Sequence, residues 1–275
     1  YLTNALTDQA LRFINQANDK PYFLYVAYNA PHGPLQAPEE KIAEFASIEN
    51  EKRRTYAAMV SIMDEQIGRL LQTISDRGEL ERTLVCFLSD NGGPEHANAS
   101  DNGPLRGQKG EVFEGGIHVP FVMSMPGTLP SGAVYSDPVI SFDLSQTALE
   151  LAGADSSSST DGVNLIPYVL GEKSSPPHDA LFWRAAGDHQ LAVRRNKDKL
   201  VVIEGETSLF DLDSDLGETT DLAASSPSTV AGLAELFESW NADNKPASFP
   251  SYRRYHELLK AFHQQVQDDA QAEDQ

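Results

Sequence analysis

Three short stretches carry residue types that can handle an oxyanion. Asp90-Asn91 sets a carboxylate beside a carboxamide directly after an apolar run, a pair of hard oxygen donors that suits Ca²⁺ or Mg²⁺. Asp-Asn-Gly is equally a turn sequence, and two oxygens are fewer than the roughly six to eight that Ca²⁺ takes. His32 lies in Ala30-Pro31-His32-Gly33-Pro34, where an imidazole held by two prolines can donate to an anion or protonate a leaving oxygen. The alternative is an ordinary histidine of a surface loop. Lys109, in Leu105-Arg106-Gly107-Gln108-Lys109-Gly110, is a point charge suited to phosphate or sulfate, with glycines that let backbone approach a ligand; the alternative is a solvated lysine. Asn102 and His96 lie in the same polar region and are weaker candidates for substrate contact. Arg106 reads as a structural ion-pair residue and Glu114 as a brace for the lysine loop, accepting backbone or lysine hydrogen bonds.

These residues must be positioned by regular elements. Residues 4–17 have the spacing of an amphipathic helix with Leu6, Ala10, Phe13, Ile14 and Ala17 on one face. A long helix is predicted over 50–77, with Tyr56, Val60, Met63, Ile67, Leu70 and Ile74 spaced by fours and threes and Gly78 at its end. The apolar run Tyr22–Tyr28 reads as a strand buried on both faces, Thr83–Leu88 as a second buried strand and Val119–Met125 as a third strand. Asp143 is placed to cap a helix that Gly153 closes. Strands alternating with helices imply an α/β fold with a largely parallel or mixed sheet, whose sites lie at the carboxyl ends of strands. The loops at 29–34 and 89–93 both follow a strand. After about residue 170 the texture changes to short strand candidates at 180–184, 190–194, 199–203 and 208–211, an antiparallel meander, with a helix near 227–241. The division expected is therefore 1–175 as α/β core, 178–248 as a small antiparallel α+β domain, and 249–275 as a helical and acidic tail, with a further helix at 251–265.

The composition excludes some functions. A net charge of −20, from 21 Lys+Arg against 41 Asp+Glu, lacks the basic footprint that nucleic acid or an anionic membrane surface requires. An anion site in such a chain must be locally positive. The single cysteine, Cys86, cannot form an internal disulfide and sits in an apolar run, as a small buried hydrophobe would. Arg53-Arg54, Arg194-Arg195 and Arg253-Arg254 read as solvated faces, and Trp183 and Trp240 as core.

In order along the chain, PYFLYVAYNAPHGPLQAP (21–38), LSDNGG (88–93), NGPLRGQKGEVFEGGIHVP (102–120), DGVNLIPYVLG (161–171) and LFDLDSDLGETTDL (209–222) resemble the formylglycine-dependent sulfatase family of the alkaline-phosphatase superfamily. The wording of its loops is similar to arylsulfatase and N-acetylgalactosamine-6-sulfatase members. The resemblance implies an alkaline-phosphatase-like mixed sheet flanked by helices, with Asp90 and Asn91 as ligands to Ca²⁺ (Mg²⁺ the alternative). It implies His32 as hydrogen-bond partner of the sulfate and acid for the leaving alcohol, and Lys109 as the cation facing a sulfate oxygen. The substrate implied is a sulfate ester, of a small molecule or glycan, and the location periplasmic, secreted or lysosomal. The family's Cys/Ser-x-Pro/Ala-x-Arg nucleophile segment, converted to formylglycine, is not matched by Cys86, and its first acidic metal pair is absent too. The chain therefore reads as a C-terminal portion, inactive alone, with the formylglycine expected upstream; the alternative is a truncated or degenerate anion-binding relative without turnover. A two-zinc phosphatase or phosphodiesterase needs more His and Asp ligands than these motifs offer. Position 118 is His, where the family usually has Arg.

Overall fold

Amphipathic periodicity and buried ladders build the chain, which a computed structural model describes at residues 1–17, 20–154, 160–185 and 189–246. In chain order the elements are α1 (Leu2–Gln16), α2 (Glu39–Ala43), α3 (Glu51–Asp76), β1 (Val85–Leu88), α4 (Glu95–Asn98), α5 (Glu114–Ile117), β2 (Phe121–Ser124), α6 (Asp143–Leu151) and α7 (Ile166–Val169). There follow β3 (Leu181–Ala185), β4 (Gln190–Arg195), β5 (Asp198–Ile203), β6 (Glu206–Asp211) and α8 (Pro227–Ala242). Tyr1–Asn102 and Val119–His178 form one unit. The second takes Gly103–His118 together with the chain from Asp179 onward, so the lysine loop, expected within 1–175, clusters with the meander.

In the first unit α3 is the spine. Its start is fixed by Asn50, whose side-chain oxygen accepts the Arg53 backbone N–H at 3.0 Å. α1 lies against it, burying Thr3, Thr7, Ala10 and Ile14, and Asp8 pairs with Arg69 at 2.9 Å. The buried stripe of α1 is thus rotated from the expected one: Phe13 is 43% exposed, while Thr7 hides its hydroxyl on the Thr3 carbonyl (3.0 Å) and Tyr28 OH (2.7 Å). A buried threonine is compatible with a helix interior because it bonds one turn back. In α3 the fully buried positions are Ala58, Met59, Ile62, Gln66 and Ile74, again shifted from the expected face except at Ile74.

Two strand expectations need correction. Residues 22–28 are extended but form no ladder among the described residues, and Phe23 and Tyr25 are 76% and 78% exposed. Their apolar, β-favouring composition sets the backbone but cannot supply a pairing partner, which only another strand provides. β1 and β2 pair antiparallel, Val85 opposite Ser124 and Leu88 opposite Phe121, as a mixed sheet allows, but β1 is not the buried strand expected, since Phe87 is 38% exposed. The Ser89 N–H reaches the Pro120 carbonyl at 3.2 Å and carries the pairing to the lip of the loop that follows β1. Cys86, opposite Met123, is half-buried, and burial pushes its thiol up to about 11, so it remains a neutral small hydrophobe.

Asp143 is a clamp rather than a cap. Fully buried at the start of α6, it accepts the Ile140 N–H (2.8 Å) and the Val163 N–H (2.9 Å) and meets His178 Nε2 at 2.9 Å. The segment 140–178 is closed on this one carboxylate, with the Phe142 ring edge-on to the imidazole.

The second unit is the predicted meander, antiparallel in the order β3-β4-β5-β6. Strict alternation divides its residues. Trp183, Ala192, Val201 and Phe210 face a core that also takes in Val112 and Phe113. Phe182, Val193, Leu200 and Leu209 face α8 through Leu233 and Phe237, with Trp240 stacked on Phe182 at 4.9 Å. Both tryptophans are core, as expected; residues 251–265 lie outside the described residues. Phe237→Ala is expected to destabilise this unit by about 3–5 kcal/mol, read as a lowered denaturation midpoint in tryptophan fluorescence; an unchanged midpoint would show that α8 does not hold the sheet.

Candidate functional site

The loop that leaves β1 is built to present two oxygens. Asp90 is exposed just past the strand's carboxyl end, and its carboxylate makes no hydrogen bond or ion pair among the described residues. Asn91 donates its amide N–H to the Gly92 carbonyl at 2.9 Å, which orients the side chain and directs no donor to its own Oδ1. The Ser89 hydroxyl holds the Asn91 carbonyl at 2.9 Å. Further along, Asn102 closes the loop like a staple: Gly93 N–H donates to its Oδ1 and its Nδ2 donates to Gly93 O, both at 2.8 Å, while its own N–H reaches Glu95 Oε1 at 2.9 Å. Its amide therefore acts on the loop's shape. His96 is exposed on α4, and the Ala99 carbonyl after that helix is held from α3 by Arg53 at 3.0 Å. Arg54 likewise grips the Ile48 carbonyl at 2.8 Å, so this arginine pair ties loops down instead of facing solvent.

His32 stands in a different loop of the same unit, exposed, with its backbone N–H on the Asn29 carbonyl at 2.8 Å. Its Nδ1 lies 2.7 Å from the Gly33 carbonyl oxygen. A carbonyl only accepts, so Nδ1 carries the proton, and an acid role for this ring requires the imidazolium with its second proton on Nε2.

Lys109 is exposed on the second unit, in a loop whose shape depends on missing side chains. The Gly115 N–H donates to the Arg106 carbonyl at 2.6 Å; a Cβ on Gly115 would sit 2.2 Å from the Gly107 carbonyl oxygen, and one on Gly116 2.1 Å from that of Glu111. Only glycine permits this closure. Arg106 is structural, but not through an ion pair: it donates to the Glu218 carbonyl at 2.9 Å and lies 4.0 Å over the Phe113 ring.

Beneath the loop is a feature the sequence reading missed. Lys199, fully buried in β5, meets Glu114 Oε1 at 2.7 Å and Glu218 Oε1 at 2.8 Å, both carboxylates also buried. The other Glu114 oxygen meets His118 Nδ1 at 2.9 Å and Arg194 at 3.6 Å, and Glu218 accepts the Glu114 backbone N–H at 2.7 Å. Glu114 thus accepts a hydrogen bond from a lysine, as its bracing role expects, but the lysine comes from β5. A signal was available: Lys199 has the same strand parity as Val201, so its side chain must enter the core face. Burial works to raise Glu114, but the His118 bond and the Lys199 and Arg194 charges overcome it and hold the carboxyl at about 2. Burial raises Glu218, only partly offset by Lys199.

Among the described residues no group of three or more His, Cys, Asp and Glu side chains is arranged to hold a metal. Asp90 and Asn91 fit a hard cation by chemistry, as two adjacent oxygen donors without competing partners, and they supply only part of a coordination shell.

The sulfatase family model matches residues 1–154, more than half of the 275. This chain belongs to the sulfatase family. It is 32% identical over 195 residues to sulfatase YdeN of Escherichia coli, covering 69% of this chain and 34% of that one. It is 32% identical over 265 residues to a sulfatase of Formosa agariphila, covering 83% and 47%. Human N-acetylgalactosamine-6-sulfatase is 34% identical over 177 residues, 62% of this chain and 32% of that relative. The chain thus spans about a third to a half of the length of these relatives. Among solved structures, Ps i-CgsB in complex with k-i-k-neocarrahexaose superimposes with a TM-score of 0.85 at 33% identity, covering 95% of this chain and 59% of that one. The fold is accordingly the alkaline-phosphatase-like α/β architecture of the sulfatases, with its antiparallel C-terminal sheet.

The ion cluster predicts an acid-resistant second unit. Because Glu114 sits below its ordinary value of 4.5, its contribution is present above that pH and is lost as pH falls toward about 2. Glu218 is shifted upward, so its contribution runs the other way, present at low pH and lost as pH rises through its raised value. Both tryptophans lie in this unit, so fluorescence should report a folded sheet at pH 4 and unfolding nearer 2. Glu114→Gln should remove roughly 3 kcal/mol at neutral pH and flatten the dependence between those limits. An acid transition that Glu114→Gln does not alter would refute the assignment.

Proposed function

We propose that this chain carries the cation, lysine and histidine side of a centre that hydrolyses a sulfate ester of a carbohydrate, through a formylglycine nucleophile borne outside these 275 residues. The observation that carries the reading is the Asp90-Asn91 pair: two hard oxygens without partners among the described residues, past the carboxyl end of β1, in a chain of the sulfatase family. The carbohydrate preference is supported by Ps i-CgsB, seen in complex with an oligosaccharide, and by the N-acetylgalactosamine-6-sulfatase relatives.

Ca²⁺ (Mg²⁺ the alternative), if bound, would supply Lewis-acid polarisation of the sulfate, and a formylglycine the nucleophile. Asp90 and Asn91 are the residues that would hold the cation. The Lys109 ammonium faces charge that builds on the sulfate and bridging oxygens as the S–O bond to the sugar breaks, a stabilisation greatest in the transition state. His32, as imidazolium, gives its Nε2 proton to that oxygen, so the alcohol leaves neutral. Each loop is shaped within its own unit, the Lys109 loop by the close approach at Gly115 and Gly116 and the loop after Asp90-Asn91 by the staple at Asn102.

The test uses the longest natural form of the protein, with 4-nitrophenyl sulfate and a sulfated oligosaccharide. Lys109→Ala and His32→Ala should each lower kcat/KM by about 10²-fold or more while tryptophan fluorescence stays native. Asp90→Ala should weaken Ca²⁺ binding by calorimetry at least tenfold. The 275 residues alone should give no turnover. Parental kcat/KM in both Lys109→Ala and His32→Ala would end the proposal, and so would cleavage of the matching phosphate ester in preference to the sulfate.

A further inference from the structure

We infer that Lys199, with Glu114 and Glu218, is a positioning residue for the Lys109 loop, so that the C-terminal sheet sets the anion affinity of a loop it does not itself contain. The inference rests on the reading of Lys109 as an oxyanion ligand.

The chain of contacts is continuous within one unit. Lys199 sits in β5 between Arg194 on one neighbouring strand and Phe210 on the other, with none of its side chain exposed. A buried ammonium must be matched by charge, and its two matches come from two segments distant in sequence. Glu114 opens α5 directly after the lysine loop, and Glu218 lies in the turn after β6, at a positive φ of 51°. Glu218 turns back to the loop twice, through its carboxylate to the Glu114 N–H and through its carbonyl to Arg106. Arg106 and Glu114 thus bracket the stretch that holds Lys109, and both are tied to the same buried cluster. Directly after Glu114, Gly115 lies flush on the carbonyls of Arg106 and Gly107, and Gly116 on those of Gln108 and Glu111. The loop therefore has little freedom to shift without opening an ion cluster from which water is excluded.

Charge geometry makes Lys199 different from a filler of the core. Its ammonium bridges one carboxylate from the loop side and one from the meander side; an apolar side chain of equal length would fill the space and hold neither. Arginine is longer and planar, can still reach both carboxylates, and serves as the conservative variant. His118, standing where the family usually has Arg, meets the outer oxygen of Glu114 at 2.9 Å and Arg194 lies 3.6 Å from it, while Lys199 is the cation that bridges both carboxylates.

The test compares Lys199→Met, Lys199→Arg and the charge-neutral triple variant Lys199→Met/Glu114→Gln/Glu218→Gln, all in the longest natural form. The triple variant leaves no buried charge unmatched, so it keeps the sheet folded if the single variant does not. Three readouts are taken: tryptic cleavage after Arg106 and Lys109, amide exchange at Gly115, and the KM and kcat for 4-nitrophenyl sulfate with the Kd for inorganic sulfate. We expect the triple variant to be cut in the loop at least tenfold faster and to bind sulfate at least tenfold more weakly. Its KM should rise more than its kcat falls, and amides of the meander should stay protected. Lys199→Arg should recover most of the sulfate affinity. A triple variant with parental loop protection and parental sulfate Kd overturns the inference. If Lys109→Ala leaves sulfate affinity and turnover unchanged, the functional reading has failed instead, and the cleavage and exchange results still decide whether the cluster positions the loop.

Discussion

The desolvation of one lysine organises the second unit of this protein. An ammonium withdrawn from water cannot stay charged without close counter-charges, and Lys199 obtains them from Glu114 and Glu218 at 2.7 and 2.8 Å. This requirement fixes where the loop 103–118 lies on the meander. It also accounts for Glu114 being held low although it is buried, and for Glu218, with fewer cations around it, moving the opposite way. Removing any one member strands a charge, so the three residues act as a unit.

The first unit solves a different problem by different means. Its candidate metal ligands are not buried and are not matched by cations; they are left available, and what is fixed is the backbone beneath them. The Asn102 amide clasps Gly93, Ser89 clasps the Asn91 carbonyl, and Arg53 reaches from α3 to the Ala99 carbonyl. A carboxylate without a partner among the described residues is costly only if it is buried; exposed at a strand end, Asp90 is stable in water. The lysine loop uses a third device, backbone contact so close that a methyl group would not fit at Gly115 or Gly116. Under the proposed function these three devices share a common purpose, the recognition and cleavage of a sulfate ester.

Local sequence determined what depends on neighbours along the chain. The meander and α8 were legible because alternation and turn spacing are short-range signals, and α3 because Asn50 and Gly78 bound its pattern at both ends. Asp90-Asn91 stood out at the end of a strand, His32 between prolines after an apolar run, and Lys109 between glycines, because polar residues in such loops carry little structural explanation of their own. Tertiary structure decided what depends on distant partners: that 22–28 finds no ladder among the described residues, that β1 meets β2 antiparallel, that Asp143 clamps instead of caps, and that Arg53, Arg54 and Arg194 bind loops and charges instead of solvent. The lysine at position 199 belongs to both. Its parity in β5 already placed a charge in a buried face, but only the fold could bring it two carboxylates, because ion pairing across 85 residues of sequence is a property of packing and not of pattern.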